Sequence, residues 1–340
     1  MAGRMNTMIA VTRRCSSESV GRFSLLRWIS GLGDYFLYRV TMFLIVVTAP
    51  LCAQRPAITG ISHVVFYADD MAQSVTFYEQ MLGWKYVPTG GTNNAPRFYP
   101  NHAQYVELLP PPVAGQDHRL DLVGFATNDA DGLRRLLAAK GLAVPDSVKT
   151  EPDGSRSFLV HDPEGNPVEF TEEGKKSPAS PSPAALGHRL STHIMHAGYV
   201  VKNRVALDHF YKDLLGFHLY WQGGAKEGDI DWVMMQVPDG SDWIEYMLYL
   251  PVNPSRAALA SADHIAPGVD SVATLQRQLE ERGWKAQAGK NPQVLGVDGK
   301  LQLDLNDPDG TRIEFMEFRT TRKPCCSSIT GKPPTASTDW

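Results

Sequence analysis

A chain of 340 residues is long enough for two ordinary domains, each with a hydrophobic core of its own. Hydrophobic residues make up 43% of the chain and charged residues 21%, a composition that excludes a disordered or fibrous protein. The formal net charge of −4 gives no basis for binding nucleic acid or an anionic membrane surface.

The first 53 residues predict a secretory signal peptide rather than part of the fold. A stretch that contains several arginines ends at Arg39, the apolar run 40–51 follows, and the small residue Ala53 lies just beyond it. A basic segment, an apolar run and a small residue at the cut are typical of signal peptides. The run is too short for a membrane-spanning helix, which needs about 20 residues. We therefore expect an exported protein, periplasmic or extracellular, that starts near Gln54 and has no stable membrane span after processing.

Two segments then repeat one pattern of a strand followed by a helix. His63 opens an apolar run and is followed 15 residues later by Tyr78, and His196 is followed 15 residues later by Tyr211. In both segments the tyrosine ends a Phe-Tyr pair and precedes a Leu-Gly pair. Apolar residues at helical spacing with a glycine at the end predict a short helix after each strand.

A second pair of segments ends in a shared turn motif. Residues 161–170 read His-Asp-Pro-Glu-Gly-Asn-Pro-Val-Glu-Phe, and residues 306–315 read Asn-Asp-Pro-Asp-Gly-Thr-Arg-Ile-Glu-Phe. Asp-Pro-x-Gly is typical of a type I turn, because proline presets φ at the second position and glycine suits the fourth. Each motif therefore predicts two strands joined by a turn, and amphipathic helices are predicted upstream at 130–140 and 271–282.

These segments divide the chain into four modules, each a strand, a helix and then several strands. Residues 58–174 hold the first two modules and residues 191–320 hold the last two. Between them, residues 175–190 are rich in Pro, Ser and Ala without apolar periodicity, which is typical of a linker. Residues 321–340 have a similar composition, so we expect a disordered tail.

Cysteine usage predicts no disulfide framework. Cleavage after Ala53 would leave Cys325 and Cys326, which are adjacent, and neighbouring cysteines rarely bond to each other. The fold must then be stable on its core alone.

Four glutamates lie inside otherwise apolar strands, at matching places in the four modules. They are Glu107, Glu169, Glu245 and Glu314. A carboxylate on the buried face of a strand is costly unless it is paired or binds a metal ion. One such glutamate would most simply point at water from an edge strand, but four at the same place favour a functional face.

Three histidines begin the first strands of modules and accompany these carboxylates. His63, His196 and His264 precede Glu107, Glu245 and Glu314 by 44, 49 and 50 residues, as expected when the first and last strands of a module lie side by side. The other seven histidines fall in loops, the linker or a helix, where we expect them on the solvated surface: His102, His118, His161, His188, His193, His209 and His218. The repeat favours His196 over His193, three residues earlier.

The four modules, with the motifs H-x7…F-Y-x3-L-G and D-P-x-G-x-x-[VI]-E, resemble the vicinal oxygen chelate superfamily over about residues 58–320. That group includes glyoxalase I, extradiol dioxygenases, methylmalonyl-CoA epimerase and fosfomycin- and bleomycin-resistance proteins. The resemblance implies an α+β fold in which four βαβββ modules form two cup-shaped, mostly antiparallel half-barrel domains. It also implies that facing first and last strands of two modules hold one divalent metal ion.

Carried over to this chain, the resemblance implies one ion bound by His196, Glu245, His264 and Glu314. Two imidazoles and two carboxylates suit Zn, Ni, Co, Mn or Fe(II) and leave positions for water or a chelating substrate. Some four-module relatives instead pair the first module with the last. That alternative set consists of His63, Glu107, His264 and Glu314. The long linker favours pairing of the third module with the fourth.

The first half departs from the pattern. His63, Glu107 and Glu169 are present, but Leu122 stands where the second histidine of a cup belongs. Asp121 is one residue away, and a shift of one residue in a strand points the side chain to the opposite face. We therefore expect an incomplete metal site in this half and one ion per chain.

Three functions remain open for a protein of this kind, which we expect to be a monomer or homodimer acting on a small molecule. A glyoxalase- or epimerase-like lyase or isomerase would stabilise a metal-bound enediolate while Glu245, the best catalytic candidate, moves a proton. A non-haem Fe(II) dioxygenase of extradiol type would need only His196, His264 and Glu314. However, the similar family pattern has a tyrosine three residues before the Asp-Pro turn, and this chain has Asp304 at that position. A non-catalytic, resistance-type protein would only bind its ligand. The presence of Glu245 as a fourth ligand favours the glyoxalase- or epimerase-like function.

Overall fold

The computed structural model describes residues 55–88, 95–151, 154–174 and 187–337. These ranges belong to one unit, Ala53–Trp340. The predicted signal peptide lies outside the described residues, and so does most of the predicted linker. Within the described ranges, no helix is both long and apolar enough to cross a membrane.

The described residues of the first half form one mixed sheet of eight strands. They are β1 (Ile58–Tyr67), β2 (Lys85–Pro88), β3 (Pro96–Tyr99), β4 (Tyr105–Leu109), β5 (Leu120–Thr127), β6 (Lys149–Thr150), β7 (Arg156–His161) and β8 (Pro167–Glu172). Their order across the sheet is β2-β3-β4-β1-β5-β8-β7-β6. The pairs β1/β4 and β5/β8 are parallel and the other pairs are antiparallel. The first and last strands of each module therefore lie side by side, as predicted.

The second half repeats this arrangement. Its described strands are β9 (Ile194–Val200), β10 (His218–Gly223), β11 (Trp232–Gln236), β12 (Trp243–Met247), β13 (His264–Val269), β14 (Gln293–Leu295), β15 (Leu301–Asn306) and β16 (Arg312–Glu317). Their order is β10-β11-β12-β9-β13-β16-β15-β14, and β12/β9 and β13/β16 are the parallel pairs. The α+β fold of four modules in two mostly antiparallel sheets is thereby confirmed.

Short helices connect the strands, five of them α-helical in the described part of the chain. They are α1 (Met71–Thr76), α2 (Ala130–Ala139), α3 (Arg204–Asp208), α4 (Arg256–Ala262) and α5 (Val272–Glu281), with π-helical turns at Phe77–Met81 and His209–Leu214 after α1 and α3. Each α-helix begins after an Asp, Asn or Ser whose side chain accepts a backbone N–H three residues on. The predicted helices are confirmed, whereas α4 and the π-helical turns have no signal in the sequence pattern.

The two Asp-Pro-x-Gly turns form as predicted. The Gly165 N–H donates to the Asp162 carbonyl at 3.0 Å, and the Gly310 N–H donates to the Asp307 carbonyl at 3.0 Å. Both glycines have a φ of 88°, a conformation that favours glycine. The turns fix the register of β7 with β8 and of β15 with β16, and so place Glu169 and Glu314.

One hydrophobic core runs through both halves. Helix α2 contributes Leu133 and Leu137 to it, and α5 contributes Leu275 and Leu279 at the same spacing. Across the boundary between the halves, Phe125 packs edge-on against Phe217 with ring centroids 5.2 Å apart. The two sheets therefore share buried surface.

Residues 321–337 differ from the expected disordered tail. They form no helix or strand, but residues 325–330 lie along β10, which is an edge strand of the second sheet. The Thr330 N–H donates to the Tyr220 carbonyl at 2.8 Å, and Trp221 Nε1 donates to the Cys325 carbonyl at 3.0 Å. Cys325 and Cys326 are disulfide-bonded, which also differs from the expectation. An edge strand leaves backbone groups unpaired, and the composition of the tail does not reveal that it satisfies them.

Candidate metal centre

The four central strands of the second sheet bring the predicted ligands together. His196 lies in β9, Glu245 in β12, His264 at the start of β13 and Glu314 in β16. All four are at most 5% exposed, and one ligand atom from each lies within 4.8 Å of the others. We call these four residues the quartet, and the face of the sheet that carries them the second cup.

The distances within the quartet fit ligands of a common ion. His196 Nε2 lies 3.0 Å from His264 Nε2 and 3.3 Å from Glu314 Oε2. Glu245 Oε2 lies 3.2 Å from His264 Nε2 and 3.6 Å from His196 Nε2. Nitrogen and oxygen ligands lie about 2.1 Å from a zinc ion, so adjacent ligands are about 3.0–3.5 Å apart. The residues present therefore fit a divalent metal.

The pKa shifts of His196 and Glu314 fit metal binding, whereas the pKa of His264 is raised because the Glu245 and Glu314 carboxylates outweigh burial. Burial lowers the pKa of His196, which favours the neutral imidazole that metals bind. Burial would raise the pKa of Glu314, but Arg312 and the two imidazoles hold it well below its usual value. Arg312 balances one of the two buried carboxylates, so the other leaves a negative charge that a bound cation would compensate.

Neighbouring groups orient both histidines. His264 Nδ1 lies 2.7 Å from the Ala262 carbonyl, so Nδ1 donates there and Nε2 is left to face the quartet. The His196 ring stacks on Trp243 with centroids 5.0 Å apart, and Trp243 stacks in turn on Tyr220. The aromatic stack thus restricts the His196 ring from one side.

Arg312 is a site residue that sequence reasoning missed. Its Nη1 donates to Glu314 Oε1 at 3.2 Å, its Nη2 lies 3.1 Å from His264 Nε2, and its Nε donates to the Ser261 carbonyl at 2.9 Å. Arg312 precedes Glu314 by two positions in one strand, and residues at that spacing share a face. The alternation of side chains along the strand could therefore have identified Arg312 from the sequence.

A cavity of about 250 Å³ adjoins the quartet. Glu245, Glu314 and Arg312 form part of its wall, and Asp298 and Gln302 add polar groups. The remaining lining is apolar and comprises Trp221, Trp232, Met234, Val294, Leu295, Gly296 and Val297. Such a site accommodates a small molecule with an apolar body and a few polar groups.

The first sheet has no complete set at the matching positions that the structure describes. Glu107 is neutralised by Arg97, whose Nε donates to Oε2 at 2.6 Å. Leu122 faces Val65 in the ladder, at the place where the second sheet pairs His264 with Gly198. Asp121 instead accepts a hydrogen bond from the Tyr67 hydroxyl.

His63 pairs within the first sheet, with its Nε2 3.1 Å from Glu169 Oε2. Modules one and two share this sheet, whereas His264 and Glu314 belong to the other. The alternative set of His63, Glu107, His264 and Glu314 therefore does not come together.

His193 was expected on the solvated surface, and the structure shows that this expectation was wrong. It is fully buried, and its Nε2 lies 2.6 Å from Asp242 Oδ1. The other oxygen of Asp242 accepts the Ile61 N–H of the first sheet at 2.8 Å. His193 thus belongs to a polar network between the halves rather than to the quartet, as the repeat predicted.

Comparison with known proteins agrees with this architecture. The model of the Glyoxalase/Bleomycin resistance protein/Dioxygenase superfamily matches residues 60–170 and 193–315. A search of curated proteins finds no match.

Solved structures share the fold at low sequence identity. The 2,3-dioxygenase LapB from Pseudomonas sp. KL28 is 16% identical, with a TM-score of 0.59 and coverage of 81% of this chain and 98% of that one. The Mn(II)-bound glyoxalase from Novosphingobium aromaticivorans is 19% identical, with a TM-score of 0.57 and coverage of 77% and 83%. Homoprotocatechuate 2,3-dioxygenase from Arthrobacter globiformis is 18% identical, with a TM-score of 0.58 and coverage of 81% and 84%. At these identities the likeness shows the fold alone.

Proposed function

The chain belongs to the Glyoxalase/Bleomycin resistance protein/Dioxygenase superfamily, and we propose that it is a divalent-metal-dependent enzyme acting on a small, oxygen-chelating substrate in the second cup. The observation that carries the proposal is the convergence of two imidazoles and two carboxylates beside a cavity of about 250 Å³. The described residues of the first sheet hold no comparable group of candidate ligands.

His196, His264 and Glu314 would hold the ion, with Glu245 as the fourth ligand. Zn, Ni, Co, Mn and Fe(II) all accept such a donor set, and one structural relative is a Mn(II)-bound glyoxalase. When bound, a divalent ion acts as a Lewis acid that polarises a carbonyl oxygen. Arg312 adds a fixed positive charge at the same wall of the cavity.

The reaction that we propose is a glyoxalase- or epimerase-like proton transfer at a carbon next to a carbonyl. Glu245 takes the proton: the C–H bond breaks, an O–H bond forms on the carboxylate, and the electron pair stays on the substrate. Glu245 then returns the proton to the neighbouring carbon, which completes a glyoxalase-type isomerisation; an epimerisation would need a second acid on the opposite face of the substrate. The position of Glu245 in both the quartet and the cavity wall supports this role.

Ring cleavage by an extradiol-type dioxygenase is the second candidate. Two features favour it. Trp221 and Trp232 line the cavity with aromatic surface, and several structural relatives are named 2,3-dioxygenases, one structure being that of an extradiol ring-cleaving dioxygenase. Such chemistry would need His196, His264 and Glu314 but not a proton-carrying Glu245.

Metal analysis followed by two assays tests the proposal. Protein purified without chelators should carry about one divalent ion per chain. α-Hydroxycarbonyls in D₂O should then exchange their α-hydrogen, as followed by NMR, and Glu245→Gln should abolish the exchange. Oxygen uptake with catechols by the Fe(II)-loaded protein, retained in Glu245→Gln, would favour the dioxygenase instead. A metal-loaded protein that binds chelating ligands without either activity would support the non-catalytic reading.

A further inference from the structure

Asp298 presents a buried carboxylate to the cavity of the second cup. It lies in the turn between β14 and β15, is 2% exposed, and lines the cavity together with Glu245 and Glu314. Its Oδ1 accepts the Lys300 N–H at 3.1 Å. Among the residues that the structure describes, no donor reaches its Oδ2.

The nearest cation is committed elsewhere. Lys300 is buried, and its Nζ donates to the carbonyls of Glu317 and Phe318 at 3.1 and 2.5 Å. Lys300 therefore stabilises Asp298 through space without saturating Oδ2. An unpaired buried carboxylate oxygen is costly, so a donor from a bound molecule is the natural partner.

The surroundings of Asp298 also set its protonation. Burial raises the pKa of Asp298 to about 7; Lys300 opposes the rise, and the negative charges of Glu314 and Glu245 add to it. Burial and, to a smaller extent, the Asp298 charge raise the pKa of Tyr220 nearby. A carboxyl group with these neighbours can accept a proton or a hydrogen bond near neutral pH.

We propose that Asp298 Oδ2 accepts a hydrogen bond from a hydroxyl group of the substrate, a hydroxyl separate from the oxygen pair that faces the quartet. The substrate class is then an apolar, ring-sized molecule with two vicinal oxygens and a further hydroxyl. The apolar wall around Asp298, which includes Trp221 and Val297, suits the apolar body of such a molecule. This inference rests on the proposed function, because it places the oxygen pair at the quartet.

Pairs of matched ligands test the hydrogen bond to Asp298 separately from metal binding at the quartet. The probes are pyrogallol against 3-methoxycatechol, and 4-(hydroxymethyl)catechol against 4-methylcatechol, bound to the Zn²⁺-loaded protein without oxygen. Both members of a pair chelate alike, so their affinity ratio cancels the metal contribution. A charge-assisted hydrogen bond should make the hydroxylated member of one pair bind on the order of ten- to a hundredfold more tightly.

The variants are Asp298→Ala, Asp298→Asn and, as a control, Asp270→Asn at an exposed aspartate outside the cavity lining. The preference should vanish in Asp298→Ala, shrink in Asp298→Asn and persist in Asp270→Asn, with zinc content unchanged in all three. In the metal-free wild type, where no ion offsets the charges of Glu245 and Glu314, the preference should be weaker at pH 6 than at pH 8, because the Asp298 carboxyl is protonated below its pKa of about 7.

Isothermal titration calorimetry with zinc analysis decides the outcome. A wild type without preference in either pair, or a preference that survives in Asp298→Ala, would overturn the inference about Asp298. Loss of zinc in both Asp298 variants would make Asp298 a support of the quartet and overturn it as well. A wild-type protein that binds no zinc would overturn the proposed function alone, and the same pairs titrated into the metal-free protein would still test Asp298.

Discussion

The imidazole of His264 lies directly over the backbone of Gly198. The two residues are opposite each other in the β9/β13 ladder, and a Cβ at position 198 would stand 1.9 Å from His264 Cε1. The ring can reach the quartet only because position 198 has no side chain. In the first sheet the matching pair is Val65 and Leu122, two apolar side chains that fill this space.

Gly198→Ala should weaken metal binding while the protein still folds. The new methyl group forces the His264 ring away from its position, and displacing one ligand should lower metal affinity on the order of ten- to a hundredfold. Overpacking should also cost about 1–3 kcal/mol of unfolding free energy. Competition with a chromogenic chelator measures the affinity, and thermal denaturation measures the stability.

Gly124→Ala is the matched control. A Cβ at position 124 would stand 2.2 Å from His63 Cε1, so the clash is similar but lies in the first sheet. We expect a similar loss of stability and unchanged metal affinity. Equal loss of metal in both variants would show that the effect is global.

His196→Ala should lose the metal, and His63→Ala should keep it. His196 faces His264, Glu245 and Glu314, whereas the ring of His63 faces Glu169 and stacks on Tyr105 at 4.8 Å. Elemental analysis of both purified variants and of the wild type measures the bound ion. Two tightly bound ions per wild-type chain, or retention of metal by His196→Ala, would contradict this assignment.

Arg312→Met should destabilise the metal-free protein more than the metal-loaded one. Without Arg312, Glu314 loses its paired cation while it remains buried, a loss of about 3 kcal/mol in comparable pairs. A divalent ion at the quartet would restore the missing positive charge. The rise in melting temperature on adding metal should therefore exceed that of the wild type.

Arg322→Met, at an exposed arginine, serves as the control and should respond to metal as the wild type does. An Arg312→Met variant whose melting temperature gains no more from metal than the wild type would show that Arg312 does not neutralise the quartet.

The residues of the quartet could be predicted because each has a local signal. Glu245 and Glu314 interrupt apolar strands, and His196 and His264 lie at or near the start of strands, 49 and 50 residues before them. The Asp-Pro-x-Gly turns then fix the register by local geometry alone. Periodicity and turn chemistry are local properties, so sequence reasoning recovers what depends on them.

The parts that could not be predicted depend on contacts between distant segments. Asp298 lies in a turn whose sequence, Val-Asp-Gly-Lys, indicates exposure, yet the structure buries it against the second cup. The same holds for His193, which is buried and pairs with Asp242, 49 residues away in the sequence. The tail at 321–337 was expected to be disordered because its composition gives no sign of the edge strand that it covers.

Export stays a prediction that rests on residues 40–53. The mature chain should begin near Gln54 and should be recovered outside the cytoplasm. Ile45→Arg, which places a charge within the apolar run, should leave the precursor uncleaved inside the cell. N-terminal sequencing after cell fractionation measures both. An intact first segment on a cytosolic wild-type protein would contradict the prediction.

Asp242 should contribute more to stability than its near neighbour Asp239, although each accepts a backbone N–H from β1. Asp242 is 1% exposed. Its carboxylate accepts the Ile61 N–H at 2.8 Å and pairs with His193 at 2.6 Å, so it joins both sheets in a buried network. Asp242→Asn should cost about 1.5–3 kcal/mol of unfolding free energy, because it removes a charge-assisted hydrogen bond and leaves an amide that matches fewer donors.

Asp239 accepts the Ile58 N–H at 2.8 Å and pairs with Arg55, but its side chain is 36% exposed, so water can replace its partners. Asp239→Asn should therefore cost less than about 1 kcal/mol. Urea denaturation of both variants, with metal content monitored, measures the difference. Equal losses of unfolding free energy would mean that the buried network of His193 and Asp242 does not hold the two halves together. A larger loss for Asp242→Asn with metal retained would show that the network stabilises the boundary between the sheets rather than the quartet.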